Sequence, residues 1–296
     1  CTAVGDRGSV PSATLAERWD GRRWAVQPIV NPPGKDTPLL GVACTSAASC
    51  TSVGTYETPR VAQLALAEHW NGARWARQHT PPPAPGAGGV QLDGIACSAA
   101  AACTAVGQAA SDSAPPVIER WNGTTWVMQR SPPARNPGPG QLTSMSCPAA
   151  TVCFAAGNTG SPGVSGPPYF RAFALAERWN GKAWVIQRLP GPPRTLDPSL
   201  NGISCSSPVA CTAVGEVDLR QHAATVTLAE RWNGKSWAIQ HTPNPPHSNS
   251  STAATATLNA VSCPSATTCV AVGRSDSGAL AELWNGTTWA IQHLPG

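Results

Sequence analysis

Leu280-Ala-Glu-Leu-Trp-Asn-Gly-Thr-Thr-Trp289 reads as two short apolar runs folded about an Asn-Gly turn. Asn and Gly accept positive φ angles, so the dipeptide between apolar runs is a strong hairpin signal. The same text recurs five more times. Its tryptophans form the pairs Trp19/Trp24, Trp70/Trp75, Trp121/Trp126, Trp179/Trp184, Trp232/Trp237 and Trp284/Trp289, which use all 12 in the chain. Their first members lie 51, 51, 58, 53 and 52 residues apart. A period near that length marks supersecondary units, stacked or radially arranged.

Working outward from the last hairpin completes the unit. Leu258-Asn-Ala-Val-Ser-Cys263 is one short strand and Cys269-Val-Ala-Val-Gly273 a second, with the loop Pro264 to Thr268 between them. A variable loop then leads into the hairpin. Nothing in the unit has helical periodicity. Four short antiparallel strands per repeat, six times over, define an all-β fold, a six-bladed β-propeller. The expected organisation is one domain over 1–296, with blades near 1–28, 39–79, 92–130, 142–188, 200–241 and 258–293.

The first blade is incomplete in this reading. Cys1-Thr-Ala-Val-Gly5 matches the second strand of a unit, so a first strand, and the cysteine to pair with Cys1, are expected upstream. The 296 residues then read as part of a longer chain, in which a seventh blade stays open. Small residues precede the first cysteine of each unit, as in Gly41/Ala43, Gly94/Ala96, Ser144/Ser146, Gly202/Ser204 and Ala260/Ser262, which suits crowded innermost strands. The glycine closing each second strand (Gly5, Gly54, Gly107, Gly157, Gly215, Gly273) predicts a bulge or a left-handed exit. Alternation puts Leu15, Glu17, Trp19, Trp24 and Val26 on one face, with the paired tryptophans side by side against a neighbouring blade.

Ten of the 11 cysteines fall into C-x5-C pairs: Cys44/Cys50, Cys97/Cys103, Cys147/Cys153, Cys205/Cys211 and Cys263/Cys269. One such pair per repeat predicts disulfides and an oxidising, extracytoplasmic location, secreted or on the cell surface. The spacing does not suit structural zinc, which takes closer cysteines with a second pair or histidines nearby, so neither metal nor cofactor is expected. Charged residues make up 12% of the chain and the net charge is +4 without runs, which argues against nucleic acid as a partner. No apolar stretch has the length of a spanning helix.

The segments that vary between repeats are the second-to-third-strand loop and the Pro-rich interblade connection, which open on one face of a propeller. The disulfide loops and Asn-Gly turns fall on the opposite face. Variable loops on a rigid scaffold are where binding usually resides. Tyr56 and Tyr169, the only tyrosines, fall in those loops, and Tyr169-Phe170-Arg171 places an aromatic pair beside a cation. Exposed aromatics next to arginine suit sugar stacking or a protein hot spot. Glu216, Asp218, Arg220 and His222 add a polar cluster, with Glu57, Asp112, Arg274 and Asp276 on other blades.

Glu17, Glu68, Glu119, Glu177, Glu230 and Glu282 recur once per blade on the apolar face, where burial is costly without partners. Each either accepts backbone or indole hydrogen bonds or binds sugar hydroxyls between blades. Gln27, Gln78, Gln129, Gln187, Gln240 and Gln292 recur as strictly and carry the same two readings.

The hairpin Leu15-Ala-Glu-Arg-Trp-Asp-Gly-Arg-Arg-Trp24 resembles the blade hairpin of six-bladed fucose-binding lectins. In that family a glutamate on this strand and an arginine on the preceding strand hold the sugar, and a neighbouring aromatic stacks on it. The six glutamates match the first role, whereas the preceding strand here reads Cys-Thr-Ala-Val-Gly. The turn also resembles the structural Asp-box of sialidase-type propellers. Over its whole length the chain is similar to secreted actinobacterial repeat proteins with L-x-x-V-S-C-x5-C-x-A-V-G and L-A-E-x-W-N-G-x-x-W text, a mostly uncharacterised group.

These readings lead to a non-catalytic binding module for a glycan or a cell-surface protein. No phosphate loop or nucleophile motif occurs, and the repeated carboxylates are too symmetric for one acid/base pair. A scaffold in a larger secreted or surface assembly is the second reading, with oligomer formation open. A glycoside hydrolase or lyase is the third, and it would need unmatched carboxylates such as Glu216 and Asp112 to converge.

Overall fold

The computed structural model describes residues 1–8, 12–59, 63–111, 114–133, 139–160, 172–192, 195–219, 224–245 and 255–294. Among them there are strands and no helix, and the strands make six successive antiparallel meanders, the blades of a β-propeller. The described residues divide into two compact units, one running to Leu142 and the other from Thr143.

In the first unit, β1 (Thr2–Arg7), β2 (Ala13–Trp19) and β3 (Trp24–Val26) form a three-stranded sheet. The second blade is β4 (Leu39–Ser46), β5 (Ser49–Tyr56), β6 (Leu64–Trp70) and β7 (Trp75–Gln78). The third is β8 (Val90–Ala99), β9 (Ala102–Ala109), β10 (Val117–Trp121) and β11 (Trp126–Gln129), paired in chain order. In the second unit the fourth blade is β12 (Gly140–Ala149, entering this unit at Thr143), β13 (Val152–Gly160), β14 (Ala172–Trp179) and β15 (Trp184–Ile186). The fifth is β16 (Thr195–Ser207), β17 (Ala210–Leu219), β18 (Ala224–Trp232) and β19 (Trp237–Gln240). The sixth is β20 (Ala256–Ser265), β21 (Thr268–Ser275), β22 (Gly278–Trp284) and β23 (Trp289–Ile291).

The hairpin works differently from a two-residue Asn-Gly turn. Paired tryptophans such as Trp70 and Trp75 face each other in register and flank four residues. Only the glycine takes positive φ, from +91° at Gly181 to +104° at Gly21. The preceding Asn accepts instead: Asn71 Oδ1 takes the backbone N–H of Ala73 and of Arg74, each at 3.0 Å. A short side chain that mimics a turn carbonyl does this readily.

The second-strand glycine has a related but distinct cause. Leu40, Asp93, Asn201 and Asn259 are extra residues where the register of the first strand slips, a β-bulge in each case. The bulge pushes a carbonyl into the space a side chain would fill: a Cβ on Gly107 would lie 1.9 Å from the Gln91 oxygen, and one on Gly215 equally close to that of Ser199. None of these glycines has positive φ, so close backbone approach, and not a left-handed exit, selects Gly54, Gly107, Gly215 and Gly273, while a Cβ on Gly5 would meet nothing within 4 Å.

All five C-x5-C pairs are disulfides: Cys44–Cys50, Cys97–Cys103, Cys147–Cys153, Cys205–Cys211 and Cys263–Cys269, with Cα atoms 3.9 to 4.1 Å apart. The loop between paired cysteines stays at the surface, as at the exposed residues 44–48, while its second cysteine turns inward. Cys50, Cys103, Cys153, Cys211 and Cys269, the second members, are all buried, and so is Cys263. The cause is register. Each second cysteine opens the second strand directly across from the first tryptophan of its blade, as Cys50 from Trp70, Cys153 from Trp179 and Cys211 from Trp232. The sulfur therefore joins the tryptophan layer: Cys50 clusters with Trp70 and Trp75, and Cys211 with Trp232 and Trp237. Each crosslink thus reaches into the core through its second cysteine, while a first cysteine such as Cys44 is exposed and lines a cleft with Cys1 and Arg18. Cys1 is an exposed free thiol.

Each tryptophan pair has ring centroids 5.8 to 5.9 Å apart, and the pairs of the second, third, fifth and sixth blades pack on the preceding blade of their unit, whereas Trp19 and Trp24 of the first blade are exposed. Trp70 and Trp75 bury against Ala16, Val4 and Ile29, and Trp232 and Trp237 against Phe154. Small residues on the first strands admit their neighbours: a Cβ on Gly202 would meet the Cα of Ala260 at 2.9 Å.

Candidate functional site

The second blade holds the clearest departure from the repeat. In the column two residues after the second-strand glycine the chain places Arg7, Tyr56, Ala109, Thr159, Val217 and Ser275. In the column two residues after the second tryptophan it places Val26, Arg77, Met128, Ile186, Ile239 and Ile291. The two odd residues meet. The Arg77 guanidinium lies 4.4 Å from the centre of the Tyr56 ring, and its Nη2 donates to the Tyr56 hydroxyl.

Tyr56 does not lie in an exposed loop, as its place in the repeat predicts. It ends strand β5, paired with Leu64, and is only 8% exposed, because the strand runs on past Gly54 and the ring packs with Leu39 and Leu66. Around this pair lies a cleft of about 710 Å³, lined by Tyr56, Leu64, Arg77, His79, Thr80, Pro81 and Pro82. It joins the margin of the second-to-third-strand loop to the Pro-rich connection leaving the fourth strand. Sequence reasoning misses Arg77, although it is the one polar residue in an otherwise apolar column. Glu57, beside Tyr56, exchanges backbone hydrogen bonds of 2.9 Å with Lys35.

The recurring glutamates are sealed. Glu68, Glu119, Glu177, Glu230 and Glu282 are buried, whereas Glu17 is half-buried. Desolvation pushes Glu119 and Glu230 up to about 8. It pushes Glu68 and Glu282 to about 7, with Arg77 pulling against it at Glu68. Both carboxyl oxygens of Glu119 and of Glu282 lack a hydrogen-bond partner. The indoles bond to the recurring glutamines instead: Trp75 Nε1 donates to Gln27 at 3.0 Å, Trp126 to Gln78 and Trp289 to Gln240 at 2.9 Å.

A second polar group lies at the bulges. In the second unit Asn158 donates to Ser199 Oγ (3.0 Å), Ser199 to Asn201 Oδ1 (3.3 Å), and Asn201 to the Leu258 carbonyl (3.1 Å). Glu216 adjoins this chain, its carboxyl held above the usual range by burial and by Asp218, with Arg274 and Asn201 acting the other way. Asp218 accepts from Thr225 at 2.7 Å. In the first unit Asp93 takes amide hydrogen bonds from Gln91 (2.6 Å) and Gln141 (3.2 Å), and burial raises it.

Of the other sequence-derived candidates, Tyr169, Phe170, Arg171, Arg220, His222 and Asp112 lie outside the described residues. Asp276 is exposed and accepts the Thr255 N–H at 3.0 Å. No group of three or more His, Cys, Asp or Glu poised for a metal occurs among the described residues. No helix long and apolar enough to cross a membrane occurs among them.

No family model and no curated protein matches the sequence. Solved structures do match. U3-55K is 11% identical with a TM-score of 0.58, over 99% of this chain and 84% of that one. The SapL1 lectin in complex with alpha methyl fucoside is 12% identical with a TM-score of 0.53, over 97% and 90%. The GH74 xyloglucanase from Xanthomonas campestris is 13% identical with a TM-score of 0.55, over 95% of this chain and 43% of that one. What these differently described proteins share with this chain is the fold.

Proposed function

We propose that the chain is a non-catalytic glycan-binding module that works outside the cytoplasm, with the Tyr56–Arg77 cleft as its principal site. The observation that carries this reading is the meeting of two residues that break the repeat in a single cleft. A chain that repeats one text six times keeps such exceptions for a local task. The lining suits a saccharide: prolines and Leu64 offer apolar surface, while Arg77, His79 and Thr80 offer polar groups. Five disulfides support an oxidising compartment, and the repeat text supports kinship with the secreted C-x5-C repeat proteins it resembles. Tyr169, Phe170, Arg171, Glu216, Arg220 and His222 stay in the proposal as further contacts. The interblade glutamates are taken as structural.

A glycan-array screen of the chain and its Arg77→Met variant tests this. Selective binding lost in the variant is expected; a silent array with the fold intact sinks the reading. Met stands at the same position in the third blade, so the variant should fold.

A scaffold within a larger assembly is the second reading, and one observation favours it. Fourth strands carry exposed apolar side chains, among them Val26 (58%), Val127 (49%), Val185, Ile239 and Ile291. Light scattering that finds a strict monomer from 1 to 100 μM (a range of about two decades, chosen to span weak self-association) would remove the oligomeric form of this reading.

A further inference from the structure

We infer that the Tyr56–Arg77 cleft takes a sugar bearing a carboxylate, an inference that rests on the glycan reading above and names its ligand class. Among the described residues that line the cleft, the ionisable side chains beside Tyr56 are Arg77 and His79, both bases, and none is a carboxylate. Glu57 lies outside the lining, with its backbone paired to Lys35. Glu68, Arg77's cross-strand neighbour, is buried; burial pushes its carboxyl up to about 7 while Arg77 pulls it down, so it is only partly ionised at neutral pH. The guanidinium charge is thus offset only in part by Glu68, and no described residue of the cleft wall adds a carboxylate.

Arg77 is also held in place. Tyr56 supports one face of the guanidinium and takes one N–H, leaving the remainder of a planar five-donor fork on an exposed side chain. A carboxylate accepts two parallel N–H bonds from such a fork, a geometry that an ammonium group cannot reproduce. Leu64, Pro81 and Pro82 then lie where the apolar face of the ring would rest, and the Thr80 hydroxyl, which donates to the Ala65 carbonyl at 3.0 Å, keeps lone pairs for a sugar hydroxyl. The fourth strands of the other blades put Val26, Met128, Ile186, Ile239 or Ile291 at this position, so only the second blade carries the fork.

The test is a titration of the whole chain with oligogalacturonate, sialyllactose and sulfated galactan, each beside its neutral counterpart, for wild type, Arg77→Met and Arg77→Lys. The expected result is about tenfold or greater preference for a carboxylated member over its neutral counterpart, equivalent to one strong charge-assisted pair. Arg77→Met should erase that preference at an unchanged Tm, and Arg77→Lys should restore only part of it. Equal binding of acidic and neutral sugars, or a preference that survives Arg77→Met, overturns the inference and leaves the glycan reading standing. Tightest binding of sulfated galactan overturns the carboxylate assignment. Failure of every saccharide overturns both.

Discussion

Trp126 donates its indole N–H to Gln78 Oε1 at 2.9 Å across 48 residues of sequence, joining the third blade to the second. Trp75 and Gln27 repeat the relation one blade earlier, and Trp289 and Gln240 repeat it between the sixth and fifth. A buried indole needs an acceptor, and the recurring glutamine supplies it from the neighbouring blade. At these three interfaces the glutamine serves the assembly of blades, whereas Gln187 donates to the Val185 carbonyl and the Trp237 indole of the next blade lacks a partner.

Gln78→Leu should destabilise the protein by about 1–3 kcal/mol, the cost of leaving a buried donor unmet. Gln292→Leu is the internal control. Its amide donates to the Ala290 carbonyl two residues away on the surface, so its loss should cost less than about 0.5 kcal/mol. Chemical denaturation of both variants checks the difference.

Gly107→Ala and Gly5→Ala make the same change in the same repeat column. A Cβ at Gly107 would collide with the Gln91 carbonyl, while one at Gly5 meets nothing within 4 Å. The first should cost about 3 kcal/mol and the second about 0.5 or less. Equal midpoints in urea would refute the bulge explanation for the glycines.

Stability should fall as pH rises from about 5 to 8. Glu68, Glu119, Glu230 and Glu282 have folded-state values of about 7 to 8, above their ordinary 4.5. Between those limits the folded state binds more protons than the unfolded chain. The stabilisation is complete below about 4.5 and is lost as pH climbs through 8. Asp93 and Glu216 act in the same direction; His69, lowered by burial, acts in the other. Thermal melts across this range should show a declining Tm, and Glu119→Gln with Glu230→Gln should flatten the slope.

Replacing Cys97 and Cys103 by serine removes a crosslink closing a short loop, with a sequence separation of 6. Chain-entropy reasoning gives about 2 kcal/mol. Melts of the double variant, and of wild type with and without reductant, measure it; a reductant-insensitive wild-type Tm would contradict a stabilising role for the disulfides.

The blades were legible in the chain because their causes are local. A strand, an Asx-type turn with one positive-φ glycine, and a cysteine directly opposite its partner each depend on neighbours a few residues away, and the period near 50 residues repeats them. The bulge was half legible. A glycine announced a close approach, but the intruding atom belonged to the opposite strand. The cysteines divide in the same way: spacing gave the pairing of Cys153 with Cys147, whereas the burial of Cys153 came from its register against Trp179.

The site was not legible in the same way. Tyr56 stood out by rarity, yet a loop residue and the last residue of a strand look alike until the partner strand is in place, so its burial could not be read. Arg77 lies 21 residues from Tyr56, and only the stacking of two long side chains on one sheet face brings them together. The sequence by itself determined the repeating unit, its turns and its disulfides, because those follow from spacing along the chain. Only the tertiary structure decided which exceptions to the repeat meet and which repeated polar groups are sealed, because both depend on side chains packed against segments remote in sequence.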